Sequence, residues 1–165
     1  MRSIDKGQAK TLAIAHLLTS GHIVAQRFAI SEVAGSGGMG TVYKAIDLHT
    51  GVAAALKLLH TGNAGIAEAE RFLREAKLLS ELRHPGIVSY IAHGLTDDGR
   101  PFLAMEWLEG EDLGQRLRRE LLTVSESLAV IRQVAEALAV AHERGIVHRD
   151  LKPSAIGIDL YRRCG

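Results

Sequence analysis

With 165 residues, 47% of them apolar, the chain can bury one modest core but not two full domains. Twenty basic residues against nineteen acidic ones leave a formal net charge of +1, which gives no electrostatic case for nucleic acid or a membrane surface as partner. The single cysteine, Cys164, excludes an internal disulfide, and eight histidines without paired ligand spacing speak against a structural metal, so a reducing, cytoplasmic setting is expected.

Residues 1–22 read as a leader, amphipathic or flexible. Arg2, Lys6 and Lys10 precede an apolar run over 12–18, but Asp5, His16 and the lack of a small-residue cleavage site argue against an export signal. A strand is predicted over 23–33, broken by the run Ala34-Gly35-Ser36-Gly37-Gly38-Met39-Gly40. A second strand over 41–46, a turn over 47–51 and a third strand over 52–59 follow. The third is apolar except for Lys57, and the short connections predict an antiparallel meander. After a loop at 62–65, Ile66, Ala69, Leu73, Ala76, Leu79 and Leu82 recur at helical steps and predict a helix over 66–82. His84-Pro85-Gly86 stops it.

Residues 87–92 and 101–106 read as a further strand pair across the turn Thr96-Asp97-Asp98-Gly99. A short helix over 113–119 precedes a longer one over 125–144, with Ser125 as its N-cap and Gly145 as its stop. The longer helix is apolar around most of its circumference. It therefore expects burial on several sides, or a partner that covers it.

Four features can carry chemistry. Gly35, Gly37 and Gly40 follow G-x-G-x-x-G, a spacing that lets backbone N–H groups approach a polyphosphate. A dinucleotide-binding loop of that spacing opens a helix, whereas a β-branched strand follows here, and a plain glycine-rich hairpin fits this signal equally well. Lys57 stands in an apolar strand, where a phosphate or a carboxylate would satisfy it; an outward-facing lysine on an alternating strand fits too. Glu75, on the next helix beside the face of Phe72, Leu79 and Leu82, is the candidate carboxylate, although most such glutamates are solvated. The most specific feature is His148-Arg149-Asp150-Leu151-Lys152-Pro153. Its Asp150 can accept or orient a hydroxyl proton, Lys152 can neutralise a phosphate in transit, and Pro153 fixes the loop's course.

Taken in order, G-S-G-G-M-G-T-V, A-L-K, R-E-A, H-P-G-I-V, M-E-W-L-E-G and H-R-D-L-K-P run over about 27–153. The set resembles the serine/threonine protein kinases, among them the bacterial eukaryotic-like kinases. The resemblance implies an α+β, protein-kinase-like fold: a small antiparallel-sheet lobe with one long helix over 23–106, then a hinge and an incomplete helical large lobe over 107–165. It implies ATP as cofactor and transfer of its γ-phosphate to protein serine or threonine hydroxyls. Gly35, Ser36, Gly37, Gly38, Met39 and Gly40 would form the loop over the phosphates, flanked by Ala34 and Thr41. Val42 and Ala55 would hold the adenine, Met105 would stand behind it, and Glu106 to Leu108 would be the hinge that reads its edge. Lys57 would hold the α- and β-phosphates and pair with Glu75, while Asp150 would be the catalytic base beside Lys152. Leu79 and His148 would join an internal apolar stack.

Two departures bear on turnover. Ala155 stands where the family has a magnesium-binding asparagine, and no D-F-G follows within the 165 residues; Asp159 has neither the spacing nor the Phe-Gly to replace it. Magnesium, the metal of an intact relative, thus lacks its protein ligands here, and turnover is expected to fall by orders of magnitude. The residues after Pro153 read as a departure from the family pattern, such as a truncation, a frameshift or a fragment produces. Two further readings stay open: a catalytically dead binding module that associates through helix 125–144, and a gene remnant without function. The protein substrate is not readable from the residues.

Overall fold

The computed structural model describes residues 17–38, 40–60 and 66–158. Most of the expected leader, Met39, the loop at 62–65, Asp159 and Cys164 lie outside the described residues. In chain order the elements are β1 (Ile23–Val24), β2 (Phe28–Ser36), β3 (Gly40–Asp47), β4 (Ala53–Leu59), α1 (Ile66–Ser80), β5 (Tyr90–Leu95), β6 (Pro101–Glu106), α2 (Leu113–Arg119) and α3 (Val124–Glu143), then one 3-10 turn at Pro153–Ala155. The six strands form one sheet in the order β1-β2-β3-β4-β6-β5. The chain divides into two compact units, one of residues up to 73 with 93–104, the other of 74–92 with 105 onward.

The first unit is built on alternation along its strands. Along β3 and β4 every second residue is buried, because successive strand side chains point to opposite faces. Tyr43, Ala45, Ala54, Leu56 and Leu58 thus join Phe28, Ile30, Phe102 and Ala104 in the core. Phe28 and Phe102 meet edge to face with ring centres 5.9 Å apart. Each of the buried Leu, Ile and Phe side chains contributes about 1.5–3 kcal/mol.

The strand expected over 23–33 is in fact two. Ala25 and Gln26 both take positive φ (50° and 54°), and Arg27 N donates to Val24 O at 3.0 Å, so β1 folds back antiparallel on β2. No glycine or asparagine marks this turn, which hides it in the sequence. At its other end β2 continues through Ser36, so the glycine run begins inside a strand. The turn after β3 is anchored by Asp47, which is buried and accepts from Arg27 Nε and Nη2 at 2.8 Å each and from His49 N at 3.1 Å. The Arg27 hydrogen bond is the main cause that lowers the Asp47 pKa to about 2. Arg27 also lies over the Phe28 ring, 5.0 Å from its centre.

In the second unit α3 starts one residue ahead of Ser125, and its cap is Thr123. Thr123 Oγ1 accepts from Glu126 N at 3.2 Å, while Glu126 Oε2 accepts from Thr123 N at 2.7 Å, a reciprocal capping box. The bonds that Thr123 N and then Thr123 Oγ1 donate to Glu126 Oε2 hold the Glu126 carboxyl below its usual range. Ala137 and Ala141 are buried, but Val124, Leu128 and Ile131, at helical steps of four and three, are exposed. Helix α1 ends at Ser80 rather than 82, and Ser80 Oγ donates to Lys77 O. Strand β5 starts at Tyr90 and not 87, because residues 84–87 are folded into a turn: Gly86 N donates to His84 Nδ1 at 3.0 Å and Ile87 N to His84 O at 3.0 Å. Among the described residues no helix is long and apolar enough to cross a membrane.

Candidate functional site

Strand register brings together the candidate residues of the first unit. Gly35 lies opposite Val42 and Val42 opposite Lys57, so the three form one row across β2, β3 and β4. Ala55 is one pleat along from Lys57 on the same face. That face is the one turned away from Leu56 and Leu58. Lys57 is half-buried there, with Nζ 5.9 Å from the centre of the Phe72 ring.

The glycines divide into two kinds. At Gly40 a Cβ would sit 2.2 Å from Leu58 O, so close approach of β3 and β4 requires glycine. At Gly35, Gly37 and Gly38 a Cβ would meet nothing within 4 Å, and none of the three has a left-handed φ. The protein's own packing thus makes no demand for glycine at these positions. Gly37 N donates to Gly40 O at 3.0 Å and closes the turn, while Ala34 and Ser36 are exposed. Thr41 is buried, and its Oγ1 lies 3.1 Å from Ser36 Oγ and 2.9 Å from His60 Nε2. His60 belongs to no sequence motif and was not a candidate; the one hint is a threonine at an inward position of an alternating strand.

Glu75 is exposed on the part of α1 that belongs to the second unit. Met105, Glu106 and Leu108 are half-buried where β6 runs out. Glu106 is fixed from both its ends: its N donates to Ser89 O at 2.9 Å, and its Oε1 accepts from Ser89 N at 3.0 Å.

The segment around Asp150 forms a tight loop. Arg149 takes φ 61°, and Asp150 N donates to His148 O at 2.8 Å. Lys152 Nζ donates to Asp150 Oδ2 at 2.7 Å, and both side chains are exposed. The Lys152 hydrogen bond, and then its charge, lower the pKa of Asp150. The carboxylate is therefore ionised at neutral pH, able to accept a proton, with an ammonium beside it for an anionic group. His148 is exposed, so the expected internal stack is not closed at that residue.

Residues 154–158 stay built into the second unit. Leu113 N donates to Ile156 O at 2.8 Å and Ile158 N to Glu111 O at 3.0 Å, around an antiparallel bridge between Asp112 and Gly157. Ala155 is exposed and presents only a methyl group.

Known proteins bear on the whole arrangement. The protein kinase domain model matches residues 28–162, so the likeness continues past Pro153, where the sequence reading ends it. Serine/threonine-protein kinase pkn3 of Myxococcus xanthus is 39% identical over 141 residues, which are 84% of this chain and 26% of the relative. Pkn2 of the same organism is 41% identical over 133 residues, 80% of this chain and 16% of the relative. PknJ of Mycobacterium tuberculosis is 37% identical over 142 residues, 86% of this chain and 24% of the relative. The crystal structure of the M. tuberculosis PknI kinase domain superposes with a TM-score of 0.76 at 33% identity, over 86% of this chain and 57% of that domain. The chain thus spans about a quarter or less of the length of these curated relatives.

Proposed function

The chain belongs to the bacterial serine/threonine protein kinases, and from that premise we propose that it binds ATP and serves transfer of the γ-phosphate to protein serine or threonine hydroxyls. The observation that carries this reading is the row Gly35–Val42–Lys57 beneath a hairpin whose three open glycines answer no need of the fold. Open glycines let backbone N–H groups reach phosphate oxygens. Val42 and Ala55 offer an apolar surface for the adenine on the face that carries Lys57. Lys57 takes the α- and β-phosphates, with Glu75 as its carboxylate partner. Met105 backs the purine, and the backbone of Glu106 to Leu108 reads its edge.

ATP supplies the phosphoryl group. Asp150, kept ionised by Lys152, orients the substrate hydroxyl and takes its proton, and Lys152 meets the phosphate in transit. A magnesium site of the family's kind does not fit the residues present, since Ala155 has no side-chain oxygen to give. Cys164 as the one cysteine fits a cytoplasmic setting.

Calorimetric titration of ATP tests the reading. Wild type is expected to bind and Lys57→Ala to lose at least tenfold in affinity, in line with a charge-assisted contact of about 1.5–3 kcal/mol. The same weak signal from both proteins would sink it.

Ala155 favours a second reading, nucleotide binding without transfer, in a module that associates through Val124, Leu128 and Ile131 of α3. Measured phosphate transfer that disappears in Asp150→Ala would overturn that alternative.

A further inference from the structure

We propose that His60 is a positioning residue for the glycine hairpin, acting through Thr41 and Ser36 on the loop's grip on polyphosphate. The inference rests on the nucleotide-binding reading above. A loop carrying Gly35, Gly37 and Gly38 has much backbone freedom to lose when it closes on a ligand. A tether that orders it beforehand raises affinity by lowering that loss.

The tether lies on the far side of the sheet. Ser36 and Thr41 are cross-strand partners, and Thr41 in turn pairs with Leu58 on β4. This row alternates with the row of Val42 and Lys57, so its side chains point the other way. Thr41 Oγ1 stands between Ser36 Oγ at 3.1 Å and His60 Nε2 at 2.9 Å. A hydroxyl donates one hydrogen bond and accepts another, so the chain is complete in either direction. His60 follows β4 directly and Ser36 ends β2, so two hydrogen bonds tie both strands of the hairpin to the end of β4. Beside this chain Gly40 fits under Leu58 O with no room for a Cβ, which keeps the base of the hairpin close against β4. His60 reaches the hairpin from the side opposite Lys57 and acts by holding the loop.

The experiment titrates the full chain with ATP and with adenosine by calorimetry, alongside thermal melts. His60→Ala and Thr41→Val, the latter preserving volume, are expected to weaken ATP about 3- to 10-fold, the equivalent of one lost hydrogen bond. Adenosine, which lacks phosphates, is expected to change by less than ~2-fold, within the same conversion. His60→Gln keeps an amide donor and is expected to retain ATP affinity. The double variant is expected to be no weaker than the worse single one, because both changes cut one chain.

Equal losses for ATP and adenosine, additive effects, or unchanged ATP affinity in a cooperatively melting His60→Ala would overturn the proposal. If His60→Ala does not fold, Thr41→Val and His60→Gln decide. A wild type that does not bind ATP would overturn the nucleotide reading itself, whereas binding that His60 and Thr41 do not influence would overturn the tether alone.

Discussion

Two carboxylate–cation pairs of nearly equal length have opposite surroundings. Asp47 and Arg27 meet at 2.8 Å with the carboxylate 2% exposed, while Asp150 and Lys152 meet at 2.7 Å with side chains 76% and 54% exposed. The first pair joins the start of β2 to the end of β3 across 20 residues of sequence; the second joins residues two apart in one loop. Distance alone would make them equivalent, and burial separates them. A buried carboxylate stripped of its cation has no water to turn to, whereas an exposed one does. The contrast assigns Asp47 to holding the sheet and leaves Asp150 open to meet another molecule.

The largest expected effect comes from breaking the buried pair on one side. Arg27→Ala leaves Asp47 buried and unpaired, and is expected to cost about 3 kcal/mol of stability, the low end for a broken buried pair. Arginine 27 is itself 26% exposed, which is why the low end applies. Urea denaturation at neutral pH measures the loss, and a change below about 0.5 kcal/mol, typical of surface substitutions, would erase the distinction between the two pairs.

Acid sharpens the comparison by a smaller amount. The folded-state pKa of Asp47 is about 2 against an ordinary 3.8. A depressed carboxylate adds stability that is fully present above the unfolded value and is lost as pH falls through the folded one, so the window runs from about 4 down to about 2. Allowing for solvent screening at Arg27, the pair contributes on the order of 1–2 kcal/mol across that window. Denaturant midpoints at stepped pH are expected to fall over this range in wild type and to fall less in Asp47→Asn. Parallel curves would show that other carboxylates carry the acid limb.

These effects follow from features of unequal visibility in the sequence. The strands that carry Tyr43, Ala45, Leu56 and Leu58 were legible as apolar and β-branched runs, but which of their faces is buried was not, because both faces carry apolar residues. The row of Gly35, Val42 and Lys57 was legible as motifs, but that the three share a face follows only from the register. Asp47 reads as an ordinary turn residue, since its partner Arg27 becomes a neighbour only when β2 and β3 pair. The Thr41–His60 contact is hidden for the same reason. The reversal at Ala25 and Gln26 leaves no trace because neither residue type signals positive φ. At α3 the sequence reading takes Ser125 as the cap, whereas Thr123 caps the helix and Glu126, three residues on, completes the box. In each hidden case the deciding partner is distant in sequence or is backbone geometry that its side chains do not announce.

The smallest expected effect tests the exposed side of the comparison. Asp150→Ala removes a carboxylate whose pKa is lowered first by the hydrogen bond from Lys152, yet both groups lie in water. Solvent takes over the interactions of the freed ammonium, so the melting temperature is expected to match wild type within the scatter of repeat melts. The acid limb is also expected to keep its wild-type shape, because Asp47 is untouched. Calorimetric ATP affinity should likewise hold, since the roles proposed on the nucleotide fall to Lys57 and the hairpin. A clear drop in melting temperature would mean that the loop from His148 to Pro153 is held by this pair, and the division between a carboxylate that builds the protein and one proposed to act on a substrate would fail at its exposed end.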